Sequence, residues 1–143
     1  MDHSYFFWLA ICNLELENYP EAEKNFKQDI IIQTNGDSSA NAHFNSLFYL
    51  GVLYYQMKRY DLAKLYLSKC LSQYSKHPNA NYYLAMVYKV EKNYVLAGKY
   101  MQVAKDAFEH GHGLSEDNVY YANYPHEIRL YEVTQAIADI NKK

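Results

Sequence analysis

A phrase that recurs at a fixed spacing constrains this chain more than any other feature. The segments ENYPEAEKNF, KRYDLAKLYL and KNYVLAGKYM each place a tyrosine three residues before an alanine. The alanines Ala22, Ala63 and Ala97 are separated by 41 and then 34 residues. The seven extra residues of the first interval fall in QTNGDSSANA, which is rich in Gly, Asn and Ser. The sequence therefore predicts a 34-residue structural unit that is built three times, with one loop insertion.

Composition and periodicity favour helices for these units. Aromatic residues make up 17% of the 143 residues, whereas Gly (5) and Pro (3) are scarce, which suits helices packed through large side chains better than turn-rich sheets. Pro20 and Pro78 stand at expected helix starts, where a missing backbone N–H leaves no hydrogen bond unmade. Two amphipathic segments fit each unit, and they span about residues 2–17, 20–33, 40–57, 60–74, 79–91 and 94–110.

Each unit also shares a pattern of large and small side chains. The first helix carries a large residue, then Leu beside a small residue, and the second helix carries Ala and a further large residue. The residues are Phe6, Leu9, Ala10, Ala22 and Phe26 in the first unit, Leu47, Leu50, Gly51, Tyr54, Ala63, Leu67 and Cys70 in the second, and Leu84, Ala85, Tyr88, Ala97, Met101 and Ala104 in the third. This pattern resembles the tetratricopeptide repeat, a helix–turn–helix unit of 34 residues. The resemblance implies one all-α domain over residues 1–143, a right-handed superhelix of stacked antiparallel helix pairs, with repeats at about 2–34, 44–77 and 78–111.

Three residues depart from the family pattern. Asn13 stands where an aromatic residue is expected, Asp29 where a small residue is expected, and Asn81 where a large one is usual. The first repeat and its packing against the second are therefore the part of the chain that the pattern defines least.

The C-terminal segment after residue 111 follows a different pattern. Ser115 can cap a helix and Pro125 can open another. Beyond them, one apolar stripe is formed by Leu130, Val133, Ile137 and Ile140. The stripe predicts capping helices at about 115–141 that cover the third repeat. In the alternative interpretation, the tyrosines of this segment form a homodimer contact; they include Tyr120, Tyr121 and Tyr131.

The resemblance places a binding groove on the concave side, lined mainly by the first helix of each pair. Its predicted residues are Phe7, Ile11, Asn45, Phe48, Val52, Tyr55, Asn79, Tyr82, Met86 and Lys89, with Ser4, Leu14 and Gln56 beside them. This surface is aromatic, rich in amides and nearly uncharged, which suits a peptide held by flat anchors and backbone hydrogen bonds. One subgroup of the family grips acidic chaperone tails with cationic groove residues. Binding of such tails is not supported, because this chain has Phe7, Ile11, Tyr49, Asn79 and Tyr83 at those positions.

Other functional classes find little support in the sequence. A net charge of −2 with evenly mixed signs argues against a nucleic-acid partner. No catalytic motif or phosphate-binding glycine loop is present, so neither an enzyme nor a cofactor is expected. His110 and His112 with nearby acidic residues could be drawn as a metal site, but a plain helix terminus is the favoured interpretation.

The cysteines and the N-terminus bear on location. Cys12 and Cys70 lie in apolar helical runs and are predicted to be buried, and Trp8, which lies beside Phe6 and Phe7, is predicted to belong to the core and the groove lining. Unpaired thiols favour a cytoplasmic location. The N-terminal apolar stretch lacks the features of a signal peptide or a membrane span.

Two hypotheses follow from the sequence. The first is a non-catalytic interaction module that binds a peptide or a partner protein in the concave groove. The second is a structural scaffold, or a fragment of a longer repeat array, that self-associates through its apolar and tyrosine-rich surfaces.

Overall fold

The computed structural model describes residues 3–37, 39–110 and 130–142, and these residues form seven α-helices and no strand. The helices are α1 (His3–Glu15), α2 (Tyr19–Thr34), α3 (Phe44–Gln56), α4 (Tyr60–Gln73), α5 (Pro78–Val90), α6 (Tyr94–Glu109) and α7 (Leu130–Asn141). Helix α1 packs mainly on α2, α3 on α4, and α5 on α6, while α2–α3 and α4–α5 contacts join successive pairs. The predicted fold class, an all-α stack of helix pairs, is confirmed.

The observed helix bounds agree with the predicted ones within two residues except at the start of α3. This helix begins at Phe44, so the predicted start at Ala40 was wrong. The Nδ1 atom of His43 accepts a hydrogen bond from the backbone N–H of Asn45 at 3.1 Å and caps the helix. The backbone N–H of His43 in turn donates to Oε1 of Gln33 at 2.7 Å. These bonds hold the residues before Phe44 in the loop.

One turn is repeated at the end of each first helix. Glu17, Lys58 and Lys92 adopt left-handed backbone conformations, with φ of 59°, 62° and 62°. The backbone N–H of each following residue donates to the carbonyl five residues earlier, at 2.8–2.9 Å. This arrangement is a Schellman motif, which satisfies the last carbonyls of the helix and turns the chain into the second helix. The same backbone solution therefore joins the two helices of every pair.

The second and third pairs also share a pair of stacked tyrosines. Tyr54 stacks on Tyr66 and Tyr88 on Tyr100, both with ring centroids 5.6 Å apart. The corresponding positions in the first pair are Asn13 and Asn25. The departure at Asn13 is therefore matched on the second helix, because both partners of the stack are replaced together.

The other two departures have local structural causes. Asp29 is buried, and its carboxylate accepts a hydrogen bond from Nε2 of Gln33 at 2.9 Å. The same nitrogen donates to Oγ of Ser46 at 2.8 Å, which links α2 to α3. Asn81 is also buried, and its amide donates to the carbonyls of Ser75 and His77. Asn81 thus joins the loop before α5 to that helix, whereas Asp29 bonds the Gln33 side chain that links α2 to α3.

The outer face of α1 differs from its prediction. Cys12 and Trp8 are exposed, so the prediction that they would be buried was wrong, whereas Cys70 is buried as predicted. Tyr5 and Leu9 are exposed on the same face. Among the described residues, no helix packs on this side of α1.

Helix α7 lies against α6. Its stripe is formed by Val133, Ala136 and Ile140, which are buried, and Ile137, which is partly buried. The predicted caps and tyrosine contacts at Ser115, Tyr120, Tyr121 and Pro125 lie outside the described residues, as do the side chains of Ser4, Leu130 and Tyr131.

Candidate functional site

The ten predicted groove residues fall into two groups by exposure. Phe7, Ile11, Asn45, Phe48, Val52 and Asn79 are each at most 9% exposed and belong to the packed interior. Tyr55, Tyr82, Met86 and Lys89 are partly exposed. Only the second group offers a surface to a partner in this conformation. The binding role of all ten residues stays a prediction.

The accessible part of the groove begins with an aromatic wall on α3 and α5, formed by the partly exposed Tyr55 and Tyr82 and backed by the buried Tyr83. The ring of Tyr83 lies edge-to-face with Tyr55 at 5.5 Å and with Tyr82 at 5.3 Å between centroids. Burial raises the pKa of all three hydroxyls above the ordinary tyrosine value, so the wall is uncharged at neutral pH. The wall can therefore supply flat apolar contacts with hydroxyl groups at its edge.

Helix α7 forms the opposite wall. Tyr82, Met86 and Lys89 follow one face of α5, and they share a cavity of about 220 Å³ with one face of α7. The lining residues from α7 are Glu132, Gln135, Ala136 and Asp139. This wall was not predicted from the sequence, because the C-terminal segment was assigned to capping or to a homodimer contact. The sequence did carry a signal for it: Glu132, Gln135 and Asp139 recur at helical spacing and form a polar face of α7 next to the apolar stripe.

A buried histidine, His77, lies where the start of α5 meets α3. Nδ1 of His77 accepts a hydrogen bond from the backbone N–H of Ala80 at 3.0 Å, which caps α5. The ring packs 4.8 Å from Phe48 and 5.2 Å from Tyr74 between centroids. Its other nitrogen, Nε2, is buried and has no hydrogen-bond partner in the described part of the chain. Burial lowers the pKa of His77 to about 3, so the ring is neutral in the folded protein. No feature of the sequence singled out His77 as a buried residue.

A larger cavity, of about 540 Å³, lies between α2, α4 and the loop that follows α2. Its lining includes Ile30, Ile31, Tyr66 and the two lysines Lys27 and Lys69. None of the predicted groove residues touches it. We place the candidate site at the smaller cavity, because the predicted groove residues Tyr82, Met86 and Lys89 line it.

The described residues contain neither a metal-binding cluster nor a helix that could span a membrane. No group of three or more His, Cys, Asp or Glu side chains that could hold a metal ion occurs among them. Most of the metal site that could be drawn from the sequence lies outside the described residues, because these do not include His112, Glu116 and Asp117. No described helix is both long enough and apolar enough to span a membrane.

Comparison with known proteins identifies the repeat. A family model of the tetratricopeptide repeat matches residues 45–77. No curated protein matches the chain at a significant level. The match confirms the resemblance, and the chain contains a tetratricopeptide repeat within a fold of stacked helix pairs.

Several solved structures share this fold. The type III secretion translocator chaperone SycD of Yersinia enterocolitica, in an alternative dimer, superposes with a TM-score of 0.72 at 17% identity, covering 98% of this chain and 92% of that one. SycD in complex with a peptide of the translocator YopD gives a TM-score of 0.69 at 18% identity, with coverage of 97% and 92%. MamA from residue 41 to its end, from Desulfovibrio magneticus RS-1, gives 0.63 at 18% identity, with coverage of 99% and 75%. At these identities the likeness concerns the fold.

Proposed function

We propose that this protein is a non-catalytic interaction module that binds a peptide segment of a partner protein in its concave groove. The observation that carries the proposal is the partly exposed aromatic wall of Tyr55 and Tyr82, which continues into Met86 and faces α7 across a cavity. Aromatic residues and methionine at the centre of an interface supply most of the binding energy in complexes of this kind. The peptide complex of SycD, which has a similar fold, supports the proposal.

Selection from a random dodecapeptide display library on the immobilised chain tests this function. Selected peptides are then measured by fluorescence anisotropy against Tyr82→Ala and Tyr100→Ala. Both tyrosines are partly buried, but Tyr100 stacks on Tyr88 and does not line the groove cavity. We expect Tyr82→Ala to weaken binding about 10-fold or more and Tyr100→Ala to change it less than about 2-fold.

Two results would contradict the proposal. One is a library that yields no binder to the folded chain. The other is an equal effect of Tyr82→Ala and Tyr100→Ala on every selected peptide, which would place the binding surface elsewhere.

A second candidate function is self-association through α1. Tyr5, Trp8, Leu9 and Leu16 are four of the exposed large apolar residues of the described chain, and they lie on or just after one helix. A contiguous apolar face of this kind is typical of a protein contact. In a symmetric dimer the same four apolar side chains of a second copy would cover it. We expect Trp8→Glu to convert a dimer to a monomer in light scattering if this function holds. A wild-type chain that is monomeric at high concentration would exclude it.

A further inference from the structure

The loop after α2 contains the insertion that lengthens the first repeat interval, and it forms one side of the larger cavity. Residues 35–43 join α2 to α3, whereas residues 74–77 join α4 to α5. The longer loop borders the cavity of about 540 Å³ between α2 and α4, and its lining residues are Gly36, Asp37, Ala40, Asn41 and Ala42. The insertion therefore supplies a wall of a cavity that the groove does not use.

Both helices hold this loop in place. The backbone N–H of His43 donates to Oε1 of Gln33 on α2 at 2.7 Å. The side-chain amide of Gln73 on α4 donates to the carbonyl of Ala42 at 2.6 Å. The wall is therefore fixed from two sides before a ligand binds, which lowers the entropic cost of binding.

Helices α2 and α4 lie side by side and run in the same direction along the cavity. The hydrogen bonds of Gln33 and Gln73 bring their C-terminal ends to the loop. At the opposite end, Nη1 of Arg59, just before α4, lies 3.6 Å from Oε2 of Glu23 in the first two turns of α2. The cavity therefore has a loop end and an end near the N-termini of both helices.

Two stacked tyrosines, Tyr54 and Tyr66, mark this second end, and each has a cation over its ring. The ammonium of Lys69 lies 5.2 Å from the centroid of the Tyr66 ring, and the guanidinium of Arg59 lies 5.3 Å from that of Tyr54. Tyr66 and Lys69 line the cavity. None of the ion pairs of the described residues includes Lys69. An ammonium without a carboxylate partner therefore lies over an aromatic ring at this end, which we call the tyrosine end.

Among the described residues, one carboxylate contacts the cations of the tyrosine end. Oε2 of Glu23 lies 3.3 Å from Nζ of Lys27 and 3.6 Å from Nη1 of Arg59, and it accepts a hydrogen bond from the Tyr54 hydroxyl. Lys27, Arg59 and Lys69 thus bring three positive charges to a place with one negative charge. The tyrosine end is therefore net positive, and Lys27 and Lys69 line the cavity there.

The acidic residue that lines the same cavity, Asp37, lies at the loop end. Its backbone N–H donates to the carbonyl of Thr34 at 2.9 Å, whereas Lys27 lies seven residues before Thr34, about 10 Å along the axis of α2. The Asp37 carboxylate accepts hydrogen bonds from the backbone N–H and the hydroxyl of Ser39, at 2.9 and 2.7 Å. Asp29 is buried beside α3 and does not line the cavity. The positive charge of the tyrosine end is therefore separated from both carboxylates.

The floor between the two ends is apolar. Ile30, Ile31 and Leu47 form it, and Ile31 is 51% exposed. The exposed side chain of Asn41 also lines the cavity, and an amide can bond both the N–H and the C=O of a peptide backbone. The cavity thus combines an apolar surface, an amide and, at one end, two cations.

From this arrangement we infer that the cavity between α2 and α4 is a second peptide site, for a segment that carries Asp or Glu next to a large apolar residue. The apolar side chain packs on Ile30 and Ile31, and the carboxylate pairs with Lys69 at the tyrosine end. A peptide fits this site better than a small anion, because a small anion would leave the apolar floor and the Asn41 amide unused. The site is independent of the groove, since no predicted groove residue lines the cavity.

Dodecapeptide display on the Tyr82→Ala chain tests this site, because that substitution weakens the groove. Peptides that also bind the same chain with Lys27→Gln and Lys69→Gln are removed by counter-selection. We expect the remaining binders to be enriched in Asp or Glu next to an aliphatic or aromatic residue. Their affinity should fall at high salt, because exposed charges are screened. Thermal unfolding checks that both chains are folded during selection.

A matched pair of lysine variants locates the charge contact, measured by fluorescence anisotropy on a selected peptide. Lys69→Gln should weaken binding about 2- to 10-fold at low salt. The control Lys99→Gln removes a cation that also lies over a tyrosine ring, 5.4 Å from the centroid of Tyr100, but outside this cavity. The control should change binding less than about 2-fold.

A second matched pair locates the apolar contact. Ile31→Ser should weaken binding about 5-fold or more, because the anchor of the peptide loses its floor. The control Leu65→Ser removes an apolar side chain that is 46% exposed on α4, outside the cavity, and should change binding less than about 2-fold. Both substitutions place serine in the interior of a helix, so their costs in helix propensity match.

The inference is overturned if no peptide survives the counter-selection, or if the surviving peptides lack acidic residues beside an apolar one. Equal effects of Lys69→Gln and Lys99→Gln would show that overall charge attracts the peptide, and equal effects of Ile31→Ser and Leu65→Ser would place its anchor elsewhere. Either result also overturns the inference. All these outcomes leave the groove proposal standing, because groove peptides are defined by weaker binding to Tyr82→Ala.

Discussion

Helices α1 and α3 occupy equivalent places in successive repeats, yet they differ in how they are covered. Trp8 and Leu9 are 48% and 37% exposed, whereas Tyr49 and Leu50, which are 41 residues later, are fully buried. Tyr49 is covered because it stacks on Phe26 of the preceding pair, with ring centroids 6.4 Å apart. The burial of a residue in a stacked fold is therefore decided by its neighbouring pair as much as by its own side chain.

The largest effect expected from this comparison concerns the aromatic residues of the two helices. Phe48→Ala should lower the free energy of unfolding by about 3–5 kcal/mol, because Phe48 is fully buried and its removal leaves a cavity. Trp8→Ala should lower it by less than about 1 kcal/mol, because half of that side chain is already exposed. Urea denaturation measures both values. Losses of similar size would mean that the exposed face of α1 is covered in solution.

The next effect is a pH dependence of stability caused by His77, which packs on the side of α3 that contacts α5. Burial lowers the pKa of His77 from 6.5 to about 3 in the folded state. Above pH 6.5 the ring is neutral in both states and its full contribution is present. As the pH falls, the unfolded chain binds the proton first, so stability is lost until the pH passes below about 3.

Unfolding titrations at pH 7 and pH 4.5 measure this loss. The wild type should lose about 2–3 kcal/mol more than His77→Asn over this range. Asn is chosen because it retains an oxygen that can cap α5. An identical pH dependence in the two proteins would contradict the assignment of a buried neutral imidazole beneath Phe48.

A smaller effect compares the small residues at which the two helices of a pair pack on each other. A Cβ atom on Gly51 of α3 would lie 2.7 Å from Cγ of Leu67, whereas α1 already accommodates Ala10 at the equivalent position. Gly51→Ala should destabilise by about 1–3 kcal/mol through overpacking. The control Gly98→Ala meets no atom within 4 Å and should stabilise the protein by about 0.5–1 kcal/mol. Thermal unfolding distinguishes the two, and a harmless Gly51→Ala would show that α3 and α4 can adopt the spacing of the first pair.

The smallest effect concerns the turn that the two helices share. Glu17 and Lys58 end α1 and α3 in left-handed conformations with nearly equal φ. Glu17→Gly and Lys58→Gly should each stabilise the protein by about 0.5–1 kcal/mol, because glycine adopts this conformation without steric strain. Equal gains in chemical denaturation are expected, since the hydrogen bonds of the two turns match. A gain in the free energy of unfolding for Lys58→Gly alone would show that α1 and α3 differ in the backbone at their ends as well as in how their side chains are covered.

The fold could be predicted from local sequence patterns because each repeat contains the same features. The Tyr–Ala spacing, the small residues and the helix starts at Pro20 and Pro78 act within or between adjacent helices, so their positions in the sequence specify their contacts. The start of α3 was missed because it depends on Gln33, a residue of another helix that holds the backbone of His43. A hydrogen bond between a helix and a distant loop produces no periodic pattern in the sequence.

The candidate site was predictable only in part. Tyr55, Tyr82, Met86 and Lys89 were assigned to the groove by register and are partly exposed there. Phe48 and Val52 share that register but are fully buried, and the ring of Tyr83 on α5 lies 5.9 Å from that of Phe48 between centroids. Periodicity identifies a face of a helix and not the depth at which the next helix covers it.

The sequence by itself determined the repeat length, the helix pairs and the single insertion, since these follow from local spacing and side-chain size. The tertiary structure alone decided which aromatic residues reach solvent, which histidine is buried without charge, and that α7 brings Glu132 to the aromatic wall. These features depend on distances between residues far apart in the chain. Such distances are set by the packing of whole helices and are not encoded in any one segment.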